Sequence, residues 1–585
     1  MIFLLLSCSG DKDELSEVNC QTKIPIALQN CISDYSLQIQ NCYINDGQNC
    51  SQDDSKLQQS LHILEDTISQ SCQDRDFGNL SVSDLVGRMQ NACASESNSM
   101  GWRVYGGPQG GVWKEVSTEE QVCLQKTHEQ GISFVNDSLS NINICLQESC
   151  DVTTLEEQRQ GLKDSFQEKI DQDCGNLQDL IAIDSQTYME RLEHQTDCIT
   201  STAHIDTQNI NLTCGPSNAE FDVVRGEWQQ IVVDGNKWGT MCGDGSDYAF
   251  LVKFAPEGEP LDNILIGLQG GGVCVFEGDC SAKLQSAPDL FEAMNDQPFE
   301  VGIVSNDLEE SPFANWTKVY LPYCTQDVFI GGGVDEDLGS MSLPRYGAVN
   351  MRSAVMMFRD ALWKEMDATE ISGFRPDQLT ALFGGWSAGA YGTIYNYHWF
   401  LDDLQWPKTI AFPDAGMALH NGETLGVLGL GLLKIPAWGA QSYLPPYCFQ
   451  GECAVGPNLY EAISPRLKQV PEQQILVVSN PKDSTQQGDA YFSDEAHWIN
   501  TIRQSYCDTK DLNGIHYYFT SVSDQSLHCV SIRPQLWQGS VDGEVMADWF
   551  ERAVYEPDNL QSRVEEANFV NDIEGVEPYP CDVPE

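Results

Sequence analysis

The 22 cysteines of this 585-residue chain include no C-x-x-C pair, and the sequence contains no H-E-x-x-H. These absences exclude the zinc-ligand spacings that would explain so many cysteines in a reducing compartment. Long apolar runs are missing too: none reaches the roughly 20 residues needed to cross a bilayer, so the chain does not read as an integral membrane protein. Positive charge is scarce. With 32 basic against 87 acidic residues the formal charge is -55, which opposes binding to nucleic acid and to anionic lipid and repels a polyanionic substrate. The glycine run Gly270-Gly271-Gly272 is not followed by Lys-Ser or Lys-Thr, so it does not read as a phosphate cradle.

Cysteines scattered through a polar chain suit disulfides and an oxidising, extracytoplasmic location. The N-terminus, MIFLLLSCSG, resembles a bacterial lipoprotein signal with Cys8 as the lipidated first mature residue, although the basic n-region is missing. A plain cleaved or truncated signal is the alternative. Residues 1–7 are thus read as a signal segment, and a lipid anchor on Cys8 is the single expected link to a membrane. Secretion or anchoring at the cell surface follows. Without Cys8, 21 cysteines remain, so at least one thiol cannot pair internally.

The length calls for two or more domains. From Cys20 to Cys214 the chain is rich in Gln, Asn, Ser, Asp and Glu, with twelve cysteines and with apolar residues three or four positions apart, as in Asp151 to Cys174. That spacing predicts amphipathic helices, and the cysteines predict disulfide staples between them. Residues 8–214 are therefore expected to form an all-α cysteine-rich domain. Past Gly215 apolar strands alternate with helices: Asn263 to Gln269, Lys318 to Pro322, a helix from Ala348 to Met366, Gln378 to Phe383, Thr409 to Phe412, Gln474 to Ser479, a helix over Asp494 to Ser505, and Gly514 to Val522. This order predicts an α/β domain over 215–585 with a mostly parallel central sheet, whose site lies beyond the carboxyl ends of the strands.

One such end carries Gly385-Trp386-Ser387-Ala388-Gly389, a G-x-S-x-G pattern between a strand and a helix. A turn this sharp needs small residues on both sides and holds the serine hydroxyl exposed. A serine nucleophile needs a base and a group to orient that base, in the chain order Ser, Asp or Glu, His. Of nine histidines, four belong to the helical region, His398 and His497 lie on helices, His516 lies in a strand and His420 precedes the acid strand. His528 remains, in a loop after the last strong strand. Asp483 follows Gln474 to Ser479 directly and is the preferred acid; Asp414, at the end of an earlier strand, is its rival, and either could instead cap a turn. The run Gly270-Gly271-Gly272 ends a strand and lets backbone approach a carbonyl oxygen, with the N–H of Ala388 as the second arm of an oxyanion hole. Disulfides Cys274–Cys280, Cys448–Cys453 and Cys507–Cys529 are expected around these loops.

The segments ILIGLQGGGVCVFEGDC (Ile264 to Cys280), NWTKVYLPYCTQDVFIGG (Asn315 to Gly332), GGWSAGAYG, FPDAG (Phe412 to Gly416), NPKDSTQQ (Asn480 to Gln487) and SLHC (Ser526 to Cys529) resemble the pectin acetylesterase family, which includes the Notum carboxylesterases. The resemblance runs from about Gly215 to Cys581 and does not touch Cys20 to Cys214. It implies an α/β-hydrolase fold with Ser387, Asp483 and His528 as catalytic triad, oxyanion donors at Gly271, Gly272 and Ala388, and no metal or organic cofactor. Val273 stands where the family commonly has an aromatic residue, and Trp386 is bulkier than the small residue often found there.

The expected function is an extracytoplasmic serine carboxylesterase acting on an acyl ester, such as an acetyl group on carbohydrate. A non-catalytic surface-binding protein on a hydrolase scaffold and a serine peptidase are the alternatives.

Overall fold

The computed structural model describes residues 12–583 apart from 52, 79, 149–150, 208, 369–378, 405, 407, 420–433, 446–447, 449–455, 469–471, 490–493, 522–527, 566–568 and 571–572. Cys8, His420 and Cys453 lie outside the described residues.

The first part is helical, with long helices at Lys12–Asp46, Ser55–Ser71, Val82–Tyr105, Thr118–Glu148, Val152–Asp173 and Ser185–Ala203. Their starts are set by side-chain caps: Asp54, Ser81, Asp151 and Asp184 each accept a hydrogen bond from a backbone N–H in the first turn, offsetting donors that have no intrahelical acceptor. Gly106, left-handed at φ 82°, ends the third of these helices. Ile24, Leu28, Ile32 and Ile39 turn one face of the first helix into a core with Met89, Met100, Leu139, Tyr188 and Leu192. Cross-links supplement that core: Cys20–Cys72, Cys31–Cys93 and Cys123–Cys174 join distant segments, while Cys42–Cys50 and Cys198–Cys214 close short loops.

The second part is built on an eight-stranded sheet. Its strands are β1 (Trp228–Val232), β2 (Ala249–Lys253), β3 (Asn263–Leu268), β4 (Thr317–Leu321), β7 (Thr380–Trp386), β8 (Lys408–Asp414), β9 (Gln474–Ser479) and β10 (Ile515–Phe519), with β5 (Val334–Asp337) and β6 (Ser342–Arg345) forming a separate hairpin. The order β1-β2-β4-β3-β7-β8-β9-β10, antiparallel over β1-β2-β4 and parallel over the rest, is that of an α/β-hydrolase. Alternation along the strands fills both faces. Ile266, Phe383, Val477 and Tyr517 pack with Phe358 and Phe400 on one side; Leu265, Leu382, Leu476 and Tyr518 pack with Trp537, Trp549 and Phe550 on the other.

The parallel strands fall where the apolar runs predict them. Strands β1 and β2 do not announce themselves, because WQQIV is an edge strand with no fully buried residue and AFLVK is short.

Candidate active site

Four neighbouring parallel strands, β7 to β10, present their carboxyl ends side by side, and the predicted site residues Ser387, Asp414, Asp483 and His528 lie at or after those ends. At the end of β7 the chain reverses into the Ala388–Asp402 helix, and Ser387 takes the whole turn with φ 57° and ψ -115°. A non-glycine residue there is strained, and such strain persists only where the surroundings over-determine it. The surroundings are tight: a Cβ on Gly389 would meet the Leu268 carbonyl oxygen at 2.2 Å, and one on Gly270 would meet the Trp386 carbonyl oxygen at 2.8 Å. The glycines thus allow the serine turn and the loop after β3 to touch backbone to backbone. Ser387 is partly exposed and Ala388, buried, is the first residue of the following helix, where N–H groups lack intrahelical acceptors.

Gly271 and Gly272 lie in the loop after β3, with Gly272 left-handed at φ 70°. Lys283 donates to the Gly271 carbonyl at 2.6 Å. The expected Cys274–Cys280 disulfide closes the next turn, and fully buried Arg345 binds the Cys274 carbonyl at 3.1 Å while pairing with Glu336 at 2.7 Å. The loop is therefore braced from behind by a covalent bond and a guanidinium.

Asp483 follows β9 and is fully buried. Its Oδ1 accepts from the backbone N–H groups of Thr485 (3.0 Å) and Gln486 (3.1 Å), and its Oδ2 accepts from Gln486 Nε2 (2.8 Å). The same Oδ2 lies 2.8 Å from His528 Nδ1. The capping role and the contact with histidine are thus filled by one carboxylate. His528 leaves about a fifth of its side chain exposed (21%).

Asp414, the rival acid, ends β8 and is also fully buried, but its carboxylate is spent on the residues just past His528. It accepts from Val530 N at 2.9 Å, Ser531 N at 2.7 Å and Ser531 Oγ at 2.7 Å. Its carbonyl accepts the N–H of Ser387 at 2.9 Å. Burial pushes its pKa up to about 6 against those hydrogen bonds. Trp386, fully buried between Phe299 and Phe412, donates from Nε1 to Ser531 Oγ at 2.9 Å. A continuous network thereby ties the serine turn to the histidine loop. Ala415 (φ 60°) and Cys529 (φ 61°), next after Asp414 and His528, are also left-handed, so strain recurs on the loops that meet here.

The contacts of Gln486, Ser531 and Arg345 are not evident from their spacing. Gln486 carried the one available signal, sitting three residues after Asp483 where a cap's partner belongs. One expected disulfide is overturned: Cys507 pairs with Cys581, and Cys529 is a free, buried thiol. The C-terminal tail returns beside the Glu495–Thr509 helix, so a partner 74 residues away displaces the nearer one. Cys448 is disulfide-bonded, but Cys453 is outside the described residues.

Residues 226–428 match the model of the pectinacetylesterase family. Palmitoleoyl-protein carboxylesterase notum1 of Xenopus laevis is 26% identical over 192 residues, covering 31% of this chain and 36% of that protein. Pectin acetylesterase 5 of Arabidopsis thaliana is 28% identical over 195 residues, covering 32% and 42%. The chain thus spans about two fifths or less of the length of these relatives. A solved structure of the Wnt deacylase Notum from Drosophila aligns at 18% identity with a TM-score of 0.44, covering 56% of this chain and 93% of that one.

Proposed function

We propose that this chain, whose C-terminal region belongs to the pectinacetylesterase and Notum family, is a serine carboxylesterase. The observation that carries the reading is the 2.8 Å contact between His528 Nδ1 and buried Asp483, made one loop away from a serine held in a strained strand-to-helix turn. In this reading the carboxylate fixes the imidazole with Nδ1 protonated, which leaves Nε2 to take the Ser387 proton as Oγ attacks the acyl carbon. The oxyanion that forms is bound by backbone N–H groups at Gly271, Gly272 and Ala388. His528 then returns the proton to the departing alcohol, and water repeats the sequence on the acyl-enzyme. Ala388 favours this role because the first amides of its helix carry the positive end of the helix dipole.

The substrate class is an acyl ester, for which an acetyl group on carbohydrate is our first choice; the Notum relatives, named for palmitoleoyl-protein, make a longer acyl chain on protein the second. The eight disulfides among the described residues suit an oxidising compartment, and among those residues no helix is long and apolar enough to cross a membrane. We place the protein outside the cytoplasm, secreted or held by a lipid on Cys8. One relative, from Danio rerio, is named an inactive carboxylesterase, at 31% identity over 93 residues, so a binding protein on this scaffold is the competing reading. Hydrolysis of p-nitrophenyl acetate decides between them: turnover by the native chain that disappears in a folded Ser387→Ala variant supports the esterase, and no turnover by the native chain supports the binder.

A further inference from the structure

A cavity of about 700 Å³ lies where the helical part meets the sheet part. It sits at the Asp403 end of the Ala388–Asp402 helix, whose 15 residues span roughly 22 Å at about 1.5 Å each, so it is remote from Ser387. Five arginines line it: Arg88, Arg103 and Arg191 from the helical part, Arg352 and Arg359 from the Gly347–Ala368 helix. In a chain with 32 basic residues and a formal charge of -55, that concentration runs against the composition.

The local carboxylates are too few to match these cations, and Asp403 is shared among Arg103, Arg191 and Arg352. Arg103 takes Asp403 at 3.1 Å and Arg359 takes Asp360 at 2.9 Å. Glu193, also in the lining, pairs with Lys163 at 2.8 Å, and Glu190 is exposed. Burial pushes Glu96 up to about 7, which leaves it a weak counter-ion near neutral pH. Arg191 and Arg352 form no salt bridge among the described residues. Arg191 donates to the Ser442 carbonyl at 2.8 Å, and Arg352 donates to the Tyr443 carbonyl at 2.8 Å and to Asn396 Oδ1 at 3.3 Å. Arg352 is 8% exposed, lies over the rings of Trp399 (5.1 Å) and Tyr443 (4.8 Å), and keeps a buried Nε with no acceptor. Burial, reinforced by the charge of Arg191 and opposed in part by the Asp403 carboxylate that Arg103, Arg191 and Arg352 share, pushes its pKa down to about 9. A buried guanidinium with an unused donor and a like charge beside it is costly unless an anion completes it.

We propose that this cavity binds a small anion bearing a carboxylate, phosphate or sulfate group, held by Arg191 and Arg352. A guanidinium fork matches such oxyanions in shape and charge, and the stacked rings fix the Arg352 plane without satisfying its N–H groups. Because one arginine comes from each part of the chain, the ligand also bridges the two. The inference does not rest on the esterase reading.

Isothermal titration calorimetry on the full chain in low-chloride buffer, with inorganic phosphate, inorganic sulfate, succinate and glucuronate as probes, tests it. Saturable binding of at least one probe is expected, with a rise in melting temperature and a loss of affinity of about tenfold or more in Arg352→Gln, the scale of one buried charge-assisted hydrogen bond. If that variant does not fold, Arg191→Gln, at a half-buried side chain, makes the same comparison. The chemistry of the tightest probe assigns the acidic group. No saturable binding by any of the four, or unchanged affinity in a folded Arg352→Gln or Arg191→Gln protein, overturns the proposal.

Discussion

The helical part and the sheet part solve the same problem, holding a polar and acidic chain together, by different means. Of the disulfides among the described residues, five lie at or before Cys214, against three after it. Helices such as Val152–Asp173, which bury only Leu155, Arg159, Phe166 and Ile170, gain little from apolar contact, and cross-links that restrict the unfolded chain make up the difference. The sheet buries whole strands, with every residue of β4 and β9 buried, and its cross-links tie down loops and the C-terminal tail, as at Cys242–Cys324, Cys274–Cys280 and Cys507–Cys581. The lesson concerns sensitivity. In the proposed esterase a single atom at a strand end of the sheet part decides function; in the helical part the covalent framework matters more than any one exposed side chain.

The sharpest contrast is expected from the site itself. Ser387→Ala should lower kcat for p-nitrophenyl acetate by about 10³-fold or more with unchanged circular dichroism; a substitution of exposed Ile63 in the helical part should leave kcat within about twofold. Comparable losses from both would erase the distinction. Next, Asp483→Asn should reduce kcat by about 10²- to 10⁴-fold, since the imidazole loses the carboxylate that orients it. Asp414→Asn should reduce it by about tenfold at most, because Asp414 supports the loop around Val530 and Ser531 and not the imidazole. Inverted magnitudes would exchange the two roles.

Reduction probes the other side of the comparison. Under mild thiol reductant, hydrogen exchange should rise first in the helices between Lys12 and Ala203, each lost long-range cross-link costing about 3 kcal/mol, while β3, β7, β8 and β9 stay protected. Simultaneous loss of protection in both parts would show that the sheet depends on the helices.

The smallest effect is electrostatic. Asp414 is fully buried, and its folded pKa, about 6, exceeds the ordinary carboxylate value of about 4. The folded state therefore binds the proton more tightly, so the stability this group contributes is complete below about pH 4 and is lost as pH rises through about 6. Relative to Asp414→Asn, the native protein should lose up to about 3 kcal/mol across that window in chemical denaturation. A flat difference between the two would mean that Asp414 is ionised in the fold at ordinary cost.

Much of the sheet was legible because parallel strands buried on both faces leave continuous apolar runs, as in QILVVS. Edge strand WQQIV carries no such run, and its pairing with β2 is set by register. The glycines around Ser387 could be read because their reason is local: backbone contact forbids a Cβ there. Asp483, just past β9, is preferred to Asp414, at the end of β8, on strand order alone; the partners of the two carboxylates, His528 Nδ1 for one and Val530 and Ser531 for the other, lie far away in sequence. Cys507 with Cys529 failed for the same reason that the arginine cavity was invisible. Both depend on segments far apart in the chain meeting in space, Cys581 in one case and residues 88 to 359 in the other.

The most direct test of the account is covalent labelling of the native protein with a fluorophosphonate probe, followed by peptide mass spectrometry. The account predicts a single modified residue, Ser387, and loss of labelling in His528→Ala. A folded protein that resists the probe, or one labelled at another serine, would contradict it.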